Sequence, residues 1–137
     1  MKARMASGVL LAVAAMAAGC AVFDSFVTRV PPRSSTHGTL CVMKQRILRY
    51  ARTHDALPES PHDLPEIPGK VNEVRDAWGR DIRMSLADGK ATLTSLGRDG
   101  QPGGAGDDAD MSGVFPLKDA RGAWADEDVD WSQEPRL

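Results

Sequence analysis

Apolar side chains recur every three or four residues over residues 39–54, which is the spacing of one face of an α-helix. The stripe consists of Leu40, Met43, Ile47, Tyr50 or Ala51, and His54. Thr36 or Thr39 could cap its start, and Pro58 disfavours helical dihedral angles at the residue before it. The sequence therefore predicts one amphipathic helix over 39–54. Its basic residues lie mostly off the stripe, so we expect them to face solvent.

The pattern changes to strict alternation of apolar and polar residues after residue 80. The apolar positions of this part are Ile82, Met84 and Leu86, followed by Ala91 and Leu93, and Ser95 could continue the same face. Between the two runs, Asp88-Gly89 is a strong signal for a two-residue hairpin turn. We expect strands over 80–87 and 90–97 and a third strand near 112–117. Because a lone hairpin is not stable, the helix should cover its apolar face, which gives an α+β fold with about three antiparallel strands.

The segments on either side of these elements have less regular patterns. Residues 55–77 are rich in proline, and we expect irregular chain with one helical turn, held to the core by Leu57, Leu64, Ile67 and Val71. The turn Asp76-Ala-Trp-Gly79 comes directly before the first strand. Residues 118–137 are acidic and contain Trp124 and Trp131. The sequence leaves open whether this tail is flexible or docks through its tryptophans.

The N-terminus has the pattern of a targeting segment. Lys2 and Arg4 precede a short apolar run that ends in Ala17-Ala18-Gly19-Cys20. This ending resembles a bacterial lipobox, after which Cys20 is acylated. We therefore expect a signal peptide over 1–19 and a lipidated tether over 20–38, with an uncleaved membrane anchor as the alternative. The absence of aspartate at Ala21 favours the outer membrane over the inner one.

Composition excludes several functions. The chain of 137 residues has a net charge of -2, and residues 1–19 hold two of its 17 basic residues and no acidic one, so the remainder is more acidic still. This charge argues against a nucleic-acid partner. If Cys20 is acylated, Cys41 has no cysteine to pair with and should behave as a small buried apolar residue. No nucleophile, zinc or phosphate-binding motif is present, so we expect neither an enzyme nor a small-molecule substrate.

A loop rich in glycine and aspartate follows the predicted hairpin, over residues 95–111. Four carboxylates crowd into it, at Asp99, Asp107, Asp108 and Asp110. Such crowding is costly unless a cation lies between the charges, and oxygen donors without histidine or cysteine favour calcium over zinc. An EF-hand is excluded by Gln101 and Gly103 at ligand positions, and a single nonapeptide repeat cannot form a β-roll. A solvated hairpin connection is the alternative.

Four motifs together resemble the C-terminal domain of the major pseudopilin of type II secretion, pseudopilin G. They are Tyr50 to Pro58, Asp76-Ala-Trp-Gly79, Ser95-Leu-Gly-x-Asp-Gly100 and Gly103-Gly-x-Gly-x-Asp-x-Asp110. The resemblance covers roughly residues 38–112 and implies a helix packed on a small sheet, with calcium in the loop. It implies side-chain ligands at Asp99, Asp108 and Asp110 and backbone carbonyl ligands at Leu96 and Gln101; Asp107 could be a ligand, could support one or could face solvent.

The N-terminus departs from that family, because the chain has a lipobox where a pseudopilin has a peptidase site and a long apolar helix. The Gly-Asn-Trp that usually follows the loop is also replaced, by Met111-Ser-Gly-Val-Phe115. We therefore expect a pseudopilin G-like domain over 39–117, carried by a lipid anchor on the periplasmic side of a bacterial membrane. Its function would be calcium-stabilised binding or docking to secretion or other envelope proteins. The alternative is a divergent, membrane-anchored minor pseudopilin.

Overall fold

The structure is a computed structural model, and it describes residues 29–137. Residues 31–137 form one unit with a helix, α1 (Pro32–His54), and three strands, β1 (Arg83–Ala87), β2 (Lys90–Ser95) and β3 (Met111–Pro116). Short 3-10 turns span Pro61–Asp63 and Gly106–Asp108. The predicted signal peptide, the acylated Cys20 and the start of the tether lie outside the described residues. In the part of the chain that is described, no helix is long and apolar enough to span a bilayer.

Helix α1 begins earlier than the sequence predicted, at Pro32 rather than residue 39. The prediction took Pro31-Pro32 as a break, but proline is well suited to the first helical turn because its missing N–H has no partner there. The predicted threonine caps are wrong, since Pro31 holds the N-cap position without a side-chain cap. Thr36 is instead buried, and its hydroxyl accepts a hydrogen bond from the Ala77 amide at 3.1 Å.

Two of the basic residues of α1 are buried, which corrects the expectation of a solvent-facing basic surface. Lys44 is 7% exposed and Arg46 is 4% exposed. Arg46 donates to the carbonyls of Leu64 and Pro65 at 2.9 and 2.8 Å, and to that of Asn72 at 3.1 Å. One side chain thus holds much of the proline-rich segment against the helix, because a guanidinium presents several donors in a fixed plane.

The three strands form an antiparallel sheet in the order β1-β2-β3, which confirms the predicted fold class. Asp88 and Gly89 form the hairpin turn, and both adopt positive φ. The register pairs Met84 with Leu93 and Leu86 with Ala91, so the alternating apolar residues share one face. That face packs with α1 into the core, whose members include Leu40, Met43, Ile47, Leu48, Ile82, Leu93, Met111 and Phe115.

The sequence left open whether the acidic tail is flexible or docks. In the structure the tail packs against the domain. Trp131 lies edge-on to Phe115, with ring centroids 5.4 Å apart, and Lys44 lies over the Trp131 ring. The Lys44 amine donates to the Val129 carbonyl, and Arg49 makes a forked ion pair with Glu127 at 2.9 Å. Lys44 and Arg49 of the helix therefore bind the tail.

The proline-rich segment follows its prediction in part. It is irregular, with a single 3-10 turn in which Ser60 and Asp63 form a capping box. Leu64 and Ile67 are buried, and Leu57 packs against the core. Val71 is 69% exposed, so its predicted contact with the core is wrong.

Candidate metal-binding loop

The base of the loop is organised by the buried carboxylate of Asp76. Its Oδ1 accepts hydrogen bonds from the amides of Trp78 and Arg80, each at 3.0 Å, and its carbonyl accepts one from the Gly79 amide, which closes the turn. Its Oδ2 accepts a hydrogen bond from the Ser95 hydroxyl at 2.8 Å. Because Ser95 is the last residue of β2, this bond joins the tryptophan-glycine turn to the start of the loop.

Glycines allow the loop to fold back on itself. Gly97 and Gly104 have φ of 68° and 89°, and a Cβ on either one would lie 2.6 Å from the Asp108 carbonyl oxygen. The Asp107–Asp108 backbone is thus packed between two positions that only glycine can occupy without displacement. The Arg98 amide completes the closure by donating to the Asp107 carbonyl at 2.8 Å.

The predicted side-chain ligands have different partners. Both oxygens of Asp108 bind the guanidinium of Arg98, with Nε–Oδ1 and Nη2–Oδ2 distances of 2.9 and 3.1 Å. Asp99 Oδ1 accepts from the Gln101 amide at 3.0 Å, in a local turn. Asp110 Oδ2 accepts from the Gly103 amide at 3.1 Å. The structure therefore distributes the carboxylates along the loop rather than around one point.

One carboxylate oxygen of the loop, Asp110 Oδ1, is buried without a hydrogen bond in the described part of the chain. A carboxylate oxygen in that state is costly unless it finds a donor or a metal ion. This orphaned atom and the all-oxygen donor set fit calcium in kind. Among residues 29–137, however, no three acidic, histidine or cysteine side chains are grouped closely enough to hold a metal ion.

The two predicted carbonyl ligands lie at different depths. Leu96 is half-buried where the loop leaves β2, whereas Gln101 is exposed. Asp107 is half-buried, and its carbonyl, rather than its side chain, makes the contact that closes the loop.

Arg33 connects the loop to the helix and the tail. Its Nη1 donates to the carbonyls of Gly106 and Ala109 at 3.0 and 2.8 Å, and its Nη2 donates to that of Arg136 at 2.9 Å. Arg33 lies in the segment predicted as a tether, where no periodicity is visible, so the sequence carries no signal for this role.

A shallow pocket of about 280 Å³ elsewhere on the surface is lined by His62, Glu59 and Asp81. The Asp81 carboxylate is engaged by Arg75 at 3.1 Å, in an ion pair whose two side chains are both exposed. Within the described part of the chain, the His62 ring makes neither a hydrogen bond nor an ion pair, so its neighbours do not form an acid–base pair with it.

A family model for type II secretion system protein G matches residues 39–114, which is more than half of the chain. No curated protein and no solved structure matches the chain. The helix, the three-stranded sheet and the loop after β2 all fall largely in the matched region. The chain belongs to the protein G family of the type II secretion system, and its domain is a pseudopilin domain of that kind. This membership connects it to type II secretion through a structural, non-enzymatic family.

The sequence did not identify three residues that organise the loop region, although two of them are specified positions of the quoted motifs. Asp76 and Ser95 each begin one motif, with a glycine three and two residues later, respectively, and this position ahead of a turn was the available signal. Arg98 occupies the unspecified position of its motif, so only the tertiary structure identifies it as the partner of Asp108.

Proposed function

We propose that this chain is a non-enzymatic lipoprotein of the type II secretion machinery, on the periplasmic side of a bacterial membrane. Cys20 would carry the lipid, and the outer membrane is favoured because Ala21 is not aspartate. The pseudopilin domain would dock onto other envelope proteins of the machinery. The single observation that carries the proposal is the family match over 39–114 on a chain whose residues 17–20 resemble a lipobox.

Fatty-acid labelling in a Gram-negative host tests the anchor. Labelled palmitate should enter the wild-type chain and the Cys41→Ala control and should be lost from Cys20→Ala. Intact mass spectrometry should find Cys20 as the first residue. An unlabelled chain that keeps its N-terminus or is cleaved elsewhere would reject the lipoprotein and support the divergent membrane-anchored pseudopilin.

Cross-linking in cells that express the secretion machinery tests the docking role. The acylated chain should recover other envelope components of that machinery, and a version truncated after residue 38 should recover none. If no component is recovered with the intact chain, the domain acts outside the machinery.

We further propose that calcium stabilises the loop, with Asp99, Asp108 and Asp110 as side-chain ligands and Leu96 and Gln101 as carbonyl ligands. The crowding of four carboxylates in the loop and, among the described residues, the unpartnered buried oxygen of Asp110 support this proposal. A ligand that binds only the folded state raises the free energy of unfolding by RT ln(1 + [L]/Kd), where [L] is the free ligand concentration. Millimolar calcium should therefore raise the melting temperature.

The matched control is an acidic residue outside the loop. Asp110→Ala should abolish the calcium-dependent rise, whereas Asp128→Ala, an exposed change in the tail, should leave it intact. Equal melting temperatures in calcium and in a chelator for the wild-type chain would remove calcium from the proposal without affecting the anchor.

A further inference from the structure

Strand β1 is one of the two outer strands of the sheet, and its outer edge carries unpaired backbone groups. The two-residue hairpin turn makes Ala87 and Lys90 a hydrogen-bonded pair, so every second residue of β1 faces β2. The amides and carbonyls of Met84 and Leu86 therefore point away from β2. Among residues 29–137, no other backbone or side-chain group forms a hydrogen bond with them.

The segment before β1 begins to cover this edge and is then drawn away from it. The Ile82 amide donates to the Val74 carbonyl at 2.9 Å, in an antiparallel arrangement that would next bring the Asn72 carbonyl to Met84. The Asn72 carbonyl instead accepts a hydrogen bond from Arg46 at 3.1 Å. The contact that buries this guanidinium thus leaves β1 without a neighbour beyond Ile82.

The opposite edge of the sheet is covered by the chain itself. The Val114 amide of β3 donates to the Gln133 carbonyl at 2.8 Å, and the Ser132 amide donates to the Val114 carbonyl at 2.7 Å. Natural proteins protect open edges with proline, lysine, inward-pointing charges or bulges. Strand β1 has none of these, because its register with β2 is continuous and its only charge, on Arg83, is exposed. Its edge is therefore suited to the addition of another strand.

We propose that β1 pairs with β1 of a second copy of this chain, antiparallel about a two-fold axis through Ser85. In this register Met84 lies opposite Leu86 of the second copy, and the outward groups of these two residues exchange hydrogen bonds in both directions. The axis repeats the same pair on its other side.

The side chains of β1 also match those of a second copy. Arg83 falls opposite Ala87 of the second copy, so no like charges meet across the axis. The half-buried side chains of Met84 and Leu86 continue one apolar face from sheet to sheet. The strand is thus complementary to itself in hydrogen bonding, charge and apolar surface. This inference depends neither on the proposed lipid anchor nor on the proposed calcium site.

The pairing is expected to be weak, so the test must trap it. Two five-residue strands bury less than the ~1,200 Å² of a standard stable interface. Ser85 lies on the axis at a non-hydrogen-bonded pair, where the Cα atoms of the two copies are about 4.5 Å apart. This separation falls within the range that a disulfide bridges. A cysteine at this position should therefore join the two copies.

The first experiment is disulfide trapping in the full-length chain, purified in detergent, with Cys20 and Cys41 replaced by alanine. Ser85→Cys should form a covalent dimer under mild oxidation. Ser132→Cys is the matched control, because Ser132 is also exposed but lies at the covered edge beside β3, and it should remain monomeric. Equal dimer yields from the two variants overturn the self-pairing.

The second experiment measures amide hydrogen exchange in the otherwise wild-type chain. The amides of Met84 and Leu86 should exchange more slowly as the protein concentration rises, whereas that of Val114 should stay protected throughout. Ser85→Lys places like charges opposite each other and should weaken the pairing about fivefold, whereas Ser132→Lys should have no effect. Exchange at Met84 that is independent of concentration overturns the proposal.

Disulfide trapping in whole cells distinguishes a second copy from another occupant of the edge. The Ser85→Cys chain, again without its native cysteines, should be recovered linked to its own copy. If it is recovered linked to a different envelope protein and not to itself, that protein adds the strand and the second copy is overturned.

Discussion

Substitution of Trp131 tests whether the tail belongs to the folded domain. The tail lies outside the region that matches the family. The Trp131 ring lies edge-on to Phe115 and covers Gly113, where a Cβ would lie 2.5 Å from the indole. Lys44 lies over the same ring, 5.2 Å from its centroid. Replacement by alanine removes these contacts at once and opens the end of the sheet to water.

The expected loss of folding free energy follows from the apolar area that Trp131 buries and from the geometry of its ring pair with Phe115. A half-buried tryptophan removes about 100 Å² of apolar surface from water, which is worth about 2.5 kcal/mol at ~25 cal/mol/Å². The edge-to-face pair adds about 1 kcal/mol. Because unfolded chains already bury part of this surface, we expect a net loss of about 3 kcal/mol. For a domain of this size that lowers the melting temperature by about 13 °C.

Thermal unfolding followed by circular dichroism measures the effect. Trp131→Phe should keep about half of the stabilisation, because an aromatic edge can still contact Phe115. The neighbouring Asp130→Ala, an exposed change, should leave the melting temperature within about 2 °C of wild type. If Trp131→Ala also stays within that range, the tail is not part of the folded core in solution.

Three further predictions concern the base of the loop and the free thiol of Cys41. Gly97→Ala should destabilise the chain by about 2 kcal/mol in denaturant unfolding, whereas Gly103→Ala, which has a similar positive φ but open space around it, should cost only about 1 kcal/mol. Asp76→Ala should cost about 3 kcal/mol by the same assay, because the Ser95 hydroxyl and two amides lose their acceptor. Burial raises the pKa of Cys41, so maleimide should label it more slowly than an unfolded control at pH 8.

Each of these three has an outcome that contradicts it. Equal losses for the two glycine variants would mean that the loop does not pack against the Asp108 carbonyl. An Asp76→Ala variant as stable as wild type would show that the carboxylate does not hold the turn to the loop. The sign for Cys41 follows from its raised pKa: the folded state favours the neutral thiol, so stability from this group is lost as pH rises through the folded-state pKa. Labelling at the unfolded rate at pH 8 would refute the burial.

The charged residues of α1 show where sequence reasoning fails. Periodicity placed Lys44 and Arg46 off the apolar stripe, and solvent exposure was the reasonable expectation. Both are buried, because carbonyls from distant segments accept their hydrogen bonds. The helical spacing predicts the direction in which each side chain projects from the helix. It does not predict which distant segments of the chain pack against that side chain.

The sequence by itself determined the elements and their inner faces. Helical spacing defined the apolar stripe of α1, alternation defined the core face of the hairpin, and Asp88-Gly89 set its register, since all three are local properties of the chain. Tertiary structure decided that Trp131 completes the core, that Asp76 joins turn to loop and that Arg98 pairs with Asp108. These contacts depend on which charges and surfaces folding brings together from distant parts of the chain. A buried charge needs a partner, and no local sequence pattern predicts which residue that partner is.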